Sequence, residues 1–124
     1  MGMLHVEVKI KICGKEQVFG PGIAQLLTNV RKSGSVKEAC GRMGMSYSKG
    51  WKIVNRAEKE LGIRLIERQH GGKSGGSCQV TEQGLKMLER FESMEKELEG
   101  TAAEMFRTYF PEYEAERRTE AETL

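Results

Sequence analysis

Ser35-Val36-Lys37-Glu38-Ala39-Cys40-Gly41-Arg42-Met43-Gly44-Met45-Ser46-Tyr47-Ser48-Lys49-Gly50-Trp51, continued by Lys52-Ile53-Val54-Asn55-Arg56-Ala57-Glu58-Lys59-Glu60-Leu61-Gly62, is the stretch whose reading decides the fold. Ser35 is a strong N-cap, and Glu38 three residues later completes a Ser-x-x-Glu capping box. The short helix it opens turns Val36, Ala39, Cys40 and Met43 inward and stops at Gly44. Ser46 caps a second helix that runs to about Leu61, where Gly62 ends it. Two helices joined by so short a glycine-containing turn cannot lie side by side, so they cross as a helix-turn-helix. Small Ala39 suits the crossing, and Met45 can plug the space between the helices.

Outward from this unit, the chain divides by charge. Residues 1–28 carry a net +1. Residues 29–77 hold eleven bases against four glutamates, a net +7, and residues 78–124 hold twelve glutamates against six bases, a net −6. The total of +2 hides an asymmetry expected when one part of a chain meets a polyanion and another does not. With 38% apolar and 31% charged residues in 124, the composition is that of one globular domain plus an extra element. No apolar run reaches the length of a membrane span, and no basic-then-apolar leader opens the chain. A cytoplasmic location without membrane association is expected. Cys13, Cys40 and Cys78 are far apart and have no histidine at ligand spacing, so they read as reduced structural thiols, and no metal is expected.

Upstream, residues 5–12 alternate Val6, Val8, Ile10 and Ile12 with His5, Glu7, Lys9 and Lys11, which predicts a half-buried N-terminal strand. Pro21 opens a helix whose core side is Ile23, Leu26, Leu27 and Val30, closed by Gly34. Downstream, Arg64-Leu65-Ile66-Glu67-Arg68 and Ser77–Val80 read as paired strands around a glycine-rich tip, giving a wing over about 64–80. Thr81 caps a long helix over 81–110. In it Met87, Phe91, Met94, Leu98 and Met105 keep a 4-3-4-7 spacing close to a coiled-coil seam. Gly100, followed by the capping box Thr101-Ala102-Ala103-Glu104, predicts a bend or restart. Pro111 ends the ordered part, and 111–124 is a polar tail. The fold class expected is mainly α with a small β-wing: a winged helix-turn-helix in 1–80 followed by the long helix.

The helix from Ser46 turns Gly50, Val54, Ala57 and Leu61 to the core, with Trp51 beside them. The opposite side bears Ser48, Lys49, Lys52, Asn55, Arg56 and Lys59. A DNA major groove admits a helix and is read mainly by residues near its N-terminus. Tyr47, Ser48, Lys49 and Lys52 are therefore the candidate base readers, and Arg56 and Lys59 the candidate phosphate contacts. Backbone N–H groups at the helix starts near Ser35 and Ser46 suit phosphate as well. In the tip, glycines such as Gly72 let backbone approach a sugar-phosphate chain, with Arg68, Lys73 and Ser74 adding charge and donors. Without a partner, the same features are a solvated helix face and a flexible turn. Gly72-Lys73-Ser74 ends like a phosphate-binding loop, but position 67 is Glu67 and a strand follows, so that motif fails. No catalytic constellation is assembled, and an enzyme is not expected.

The run Gly34–Cys40, Gly44–Tyr47, Gly50-Trp51 and Val54-Asn55, with the tip Gly71–Gly76, Val80-Thr81 and Gly84, resembles the N-terminal DNA-binding domain of ModE-type molybdate-responsive regulators. Glu60–Arg68 is also similar to the LysR-type winged helix. The resemblance covers roughly Ile10 to Phe110. It implies a sequence-specific regulator that binds double-stranded DNA at a pseudo-palindromic operator as a homodimer paired along the long helix, through Met87, Phe91, Met94, Leu98 and Met105. The same apolar residues would serve equally for packing within one chain. Molybdate-sensing members carry further oxyanion-binding domains for which this sequence has no counterpart, so no cofactor or small-molecule ligand is expected. The alternative is a protein-interaction module that keeps the fold without specific DNA binding; its mark would be an apolar or acidic reading face.

Overall fold

The computed structural model describes residues 4–69 and 77–113. Its elements, in chain order, are β1 (Ile12–Cys13), β2 (Gln17–Phe19), α1 (Pro21–Ser33), α2 (Val36–Arg42), α3 (Tyr47–Leu61), β3 (Ile66–Gln69), β4 (Ser77–Val80) and α4 (Glu82–Tyr109). Among the described residues they form two compact units, one within 10–91 and one drawn from 4–9 and 92–113.

The larger unit is a winged helix-turn-helix. Its caps are local and follow from the residues that make them. Ser35 Oγ accepts the Glu38 N–H at 3.1 Å and Ser46 Oγ accepts the Lys49 N–H at 3.1 Å, each satisfying a donor that the first helical turn leaves free. Gly62 ends α3 at φ +70°, a left-handed conformation that costs glycine little. The capping box at Ser35 is only half built: the Glu38 carboxylate turns outward to Arg42 at 3.1 Å, and Ser33 Oγ takes the Ser35 N–H instead. Phe19, Leu26, Leu27, Val30, Val36, Val54, Leu65 and Phe91 form the buried core, with the rings of Phe19 and Phe91 edge to face at 5.0 Å.

β3 and β4 pair antiparallel in the register Ile66↔Val80 to Gln69↔Ser77. Two links tie this hairpin to the helices. The Cys78 N–H donates to the Gly34 carbonyl at 2.8 Å, and Glu58 Oε2 accepts the N–H groups of Leu65 at 2.7 Å and Ile66 at 3.2 Å. Thr81 Oγ1 accepts the Gly84 N–H at 2.9 Å and donates to the Arg64 carbonyl, so the wing's base and the start of α4 share one hydroxyl.

Four expectations need correction. The N-terminal strand over 5–12 shrinks to Ile12–Cys13, because its partner β2 is only three residues long before Gly20-Pro21 turns into α1. A ladder cannot outrun its partner, and Leu4 and Val6 stay exposed. The first wing strand begins at Ile66, not Arg64, since Glu58 and Thr81 take the backbone groups just before it. Gly100 does not restart the helix: α4 runs from Glu82 to Tyr109 as one helix and holds Thr101 inside it. Pro111 does not end the order: 111–113 form one more helical turn, where Phe106, Phe110 and Tyr113 gather with centroids 5.4–6.5 Å apart.

The uninterrupted course of α4 through Gly100 makes a prediction. A Cβ at Gly100 would meet nothing within 4 Å. Gly100→Ala therefore removes only the backbone-entropy cost of a mid-helix glycine and is expected to stabilise the protein by about 0.5–1 kcal/mol. Thermal unfolding should show a higher midpoint; a lower one would mean that something packs closely on that face.

Candidate nucleic-acid interface

The exposed side of α3 follows from the pattern that buries the other side. Gly50, Val54 and Ala57 are buried, and Leu61 is half-buried. That leaves Ser48, Lys49, Lys52, Asn55, Arg56 and Lys59 in solvent along one face. Ser48, Lys49, Lys52, Ile53 and Arg56 line a shallow hollow on this face. Tyr47 is 49% exposed at the first turn but does not line this hollow; its ring lies against Trp51, so three of the four residues expected to read bases lie together.

How deep α3 sits is set at Gly50. A Cβ built there would overlap the sulfur of Cys40 on α2 and lie 3.9 Å from both Met45 Sδ and Val36 Cγ1. The absence of a side chain at Gly50 lets the two helices approach where Cys40 is buried. Burial pushes the Cys40 thiol above its ordinary pKa, with a hydrogen bond from the Gly50 backbone pulling the other way. The thiol therefore stays protonated and acts as a small apolar side chain, consistent with a structural role.

The groups expected at phosphate fall into three sets. Ser35 and Ser46 use their hydroxyls as helix caps, so a phosphate contact there rests on backbone N–H groups. Arg56, Lys59 and Arg68 are exposed. Arg56 Nε lies 3.4 Å from Glu16 Oε2 in the β1–β2 turn, an exposed pair of the kind that contributes at most about 1 kcal/mol. Gly72, Lys73 and Ser74 lie outside the described residues.

A second groove runs between α3 and the wing, lined by Trp51, Asn55, Glu58, Arg64, Ile66, Glu67 and Arg68. Trp51, expected at the core edge of the apolar stripe, packs against the core and lines this groove. It is half-buried, with the Tyr47 ring edge-on at 6.4 Å and the Arg68 Cζ 4.2 Å from its ring centre. Its buried Nε1 finds no hydrogen-bond partner among the described residues. Sequence reading singled out Arg68 as a phosphate contact but gave no sign of its contact with Trp51, nor of the anchoring by Glu58. Both join residues 7–17 positions apart, which no helical or strand period relates.

The seam expected on α4 is corrected at its start. Phe91 is 1% exposed and meets Phe19 edge to face, so it belongs to the core of the larger unit and is not available to a partner. Met87 is half-buried against the same core. Met94, Leu98 and Met105 are exposed, at 37%, 41% and 53%. No helix among the described residues is long and apolar enough to cross a membrane.

Comparison with known proteins adds a second line of argument. The chain is similar to the DNA-binding transcriptional dual regulator ModE of Escherichia coli (strain K12), 26% identical over 90 residues that make up 72% of this chain and 34% of that protein. It is also similar to the molybdenum-pterin-binding protein MopA of Rhodobacter capsulatus, 29% identical over 92 residues, 74% of this chain and 34% of the relative. The chain thus spans about a third of the length of these curated relatives. Among solved structures, the crystal structure of a CbnR_DBD–DNA complex superposes with a TM-score of 0.53 at 24% identity, over 71% of this chain and 94% of that one, a likeness of fold. Residues 24–85, from within α1 through the wing to the first turn of α4, match the bacterial regulatory helix-turn-helix protein, lysR family, and the chain belongs to that family.

Proposed function

We propose that the protein is a sequence-specific double-stranded DNA-binding transcriptional regulator, with α3 as the reading helix and Tyr47, Ser48, Lys49 and Lys52 as its base-reading residues. The observation that carries this reading is the basic face of α3, clear of the core and flanked by the wing. Arg56, Lys59 and Arg68, exposed on α3 and β3, are assigned to backbone phosphates, and Lys73 is assigned the same role. Support also comes from the ModE relatives, which are named as transcriptional regulators. A protein-interaction module would favour an apolar or acidic face, and this one carries Lys49, Lys52, Arg56 and Lys59.

The protein acts as a homodimer on a pseudo-palindromic operator, paired along α4. With Phe91 committed to the core, the pairing seam reduces to Met94, Leu98 and Met105. Their spacing of four and seven keeps them on one side of a helix. Sedimentation at micromolar concentration is expected to give a dimer, and a monomer would remove this part of the reading.

Binding to a random duplex library at several salt concentrations tests the function itself. With six or more phosphates neutralised, affinity should fall on the order of 10³-fold between 50 and 200 mM salt. Replacing Lys49 or Lys52 by alanine should change which sequences are selected, whereas Arg56→Ala should weaken all sequences about equally. Affinity that does not respond to salt would refute the proposal.

A further inference from the structure

Trp51 is the chain's single tryptophan, on α3 one turn after Tyr47, and it meets the wing through Arg68. Three observations converge on it. The Arg68 guanidinium lies over its ring with Cζ 4.2 Å from the centre, well inside the range of cation–π attraction. The Tyr47 ring stands edge-on to the indole, with the centroids 6.4 Å apart. The indole N–H is buried with no acceptor among the described residues. Phenylalanine or leucine would fill this half-buried site without stranding a donor. What indole adds is the strongest π-face available for a guanidinium.

A guanidinium drawn to a ring face spends no hydrogen bond on a carboxylate, so its N–H donors remain open to an oxyanion. No carboxylate of the described residues pairs with Arg68, although Glu67 is adjacent in sequence. Arg68 sits in β3 opposite Cys78, at the mouth of the groove between α3 and the wing. Its backbone is held by the ladder and its head lies against the ring, so ordering it at a phosphate loses less side-chain freedom than ordering a free arginine.

We propose that Trp51 is a positioning residue for DNA binding: its indole face holds the Arg68 guanidinium beside the first turn of α3 and presents the guanidinium edge to a backbone phosphate. The inference rests on the DNA-binding reading above. It assigns Trp51 no base contact; the residue acts through Arg68 and ties the wing's charge to the helix that reads.

The test is a double-substitution cycle on the full chain, using Trp51→Leu, Arg68→Ala, the pair together, and Trp51→Phe. Each is titrated with one library-selected duplex across a salt series. Arg68→Ala should weaken binding about three- to tenfold and flatten the salt slope by about one. Trp51→Leu should do nearly the same, the pair should be no worse than Arg68→Ala alone, and Trp51→Phe should fall between wild type and Trp51→Leu. Additive losses, or a Trp51→Leu slope equal to wild type, would overturn the positioning role while leaving the DNA-binding reading intact. Wild-type protein without salt-dependent binding would instead remove that reading and this inference with it. The free protein gives a check that leaves the tryptophan in place: Arg68→Ala should alter the emission of the only indole. Unchanged emission would show that the stack does not exist in solution, even if Trp51→Leu fails to fold.

Discussion

Gly84→Ala is expected to destabilise the protein by roughly 2–3 kcal/mol, the cost of forcing one methyl into a closed contact, and to lower the thermal midpoint by about 10 °C. A Cβ at this position would stand 2.6 Å from the Leu65 carbonyl oxygen, 2.9 Å from Val80 Cγ1 and 3.2 Å from Leu65 Cα. Two of these neighbours are backbone, and that backbone is pinned. The Leu65 N–H is held by Glu58 at 2.7 Å, and its carbonyl accepts the Thr81 N–H at 2.9 Å. Relief would require the wing's base to move away from α4, breaking hydrogen bonds whose groups are partly buried. The same substitution at Gly100, in the same helix, is expected to act in the opposite direction. Helix propensity therefore cannot explain both results, and circular-dichroism melts of the two variants make the comparison. If Gly84→Ala melts within about 2 °C of wild type, below the shift that 1 kcal/mol would produce, the close approach is not real.

Gly50→Ala is the second large effect, and its cause can be isolated. The new methyl would overlap Cys40 Sγ, a short, buried side chain with little room to turn away. We expect a loss of roughly 2 kcal/mol from overpacking at the α2–α3 contact. Cys40→Ala alone removes one buried sulfur and should cost about 1 kcal/mol. With both changes the methyl enters the space the sulfur vacates, and the double variant should be close to Cys40→Ala alone. The two sites would then be coupled by about 2 kcal/mol, within the range seen for residues in contact. Additive losses in urea unfolding would mean that the crossing is not set by this pair. Because Gly50 lies between Lys49 and Trp51, residual misplacement of α3 should also appear as weaker duplex binding by folded Gly50→Ala protein.

Much of the helix-turn-helix was legible because its signals are local. Ser46, Lys49 and Gly62 act within a few residues of one another, so cap, first turn and stop are written in a short run. The face of α3 was legible for the same reason, since Gly50, Val54 and Ala57 recur at the helical period and leave the lysines opposite. The N-terminal strand was over-read because alternation records which side of a chain is apolar, not whether a partner exists. Phe91 was misassigned because its spacing with Met87 and Met94 suits a seam, whereas its contact is with Phe19, seventy-two positions earlier.

By itself, then, the sequence determined where α1, α2 and α3 start and stop, which side of α3 is buried, and that the basic charge collects in the middle of the chain. These depend on backbone hydrogen bonds and side-chain periods that act over three or four residues. Only the tertiary structure decided that Phe91 belongs to the core, that Glu58 anchors the wing, that Gly50 and Gly84 admit no side chain, and that Arg68 rests on Trp51. Those are meetings between elements, fixed by how close-packed surfaces come together, and such meetings carry no period along the chain.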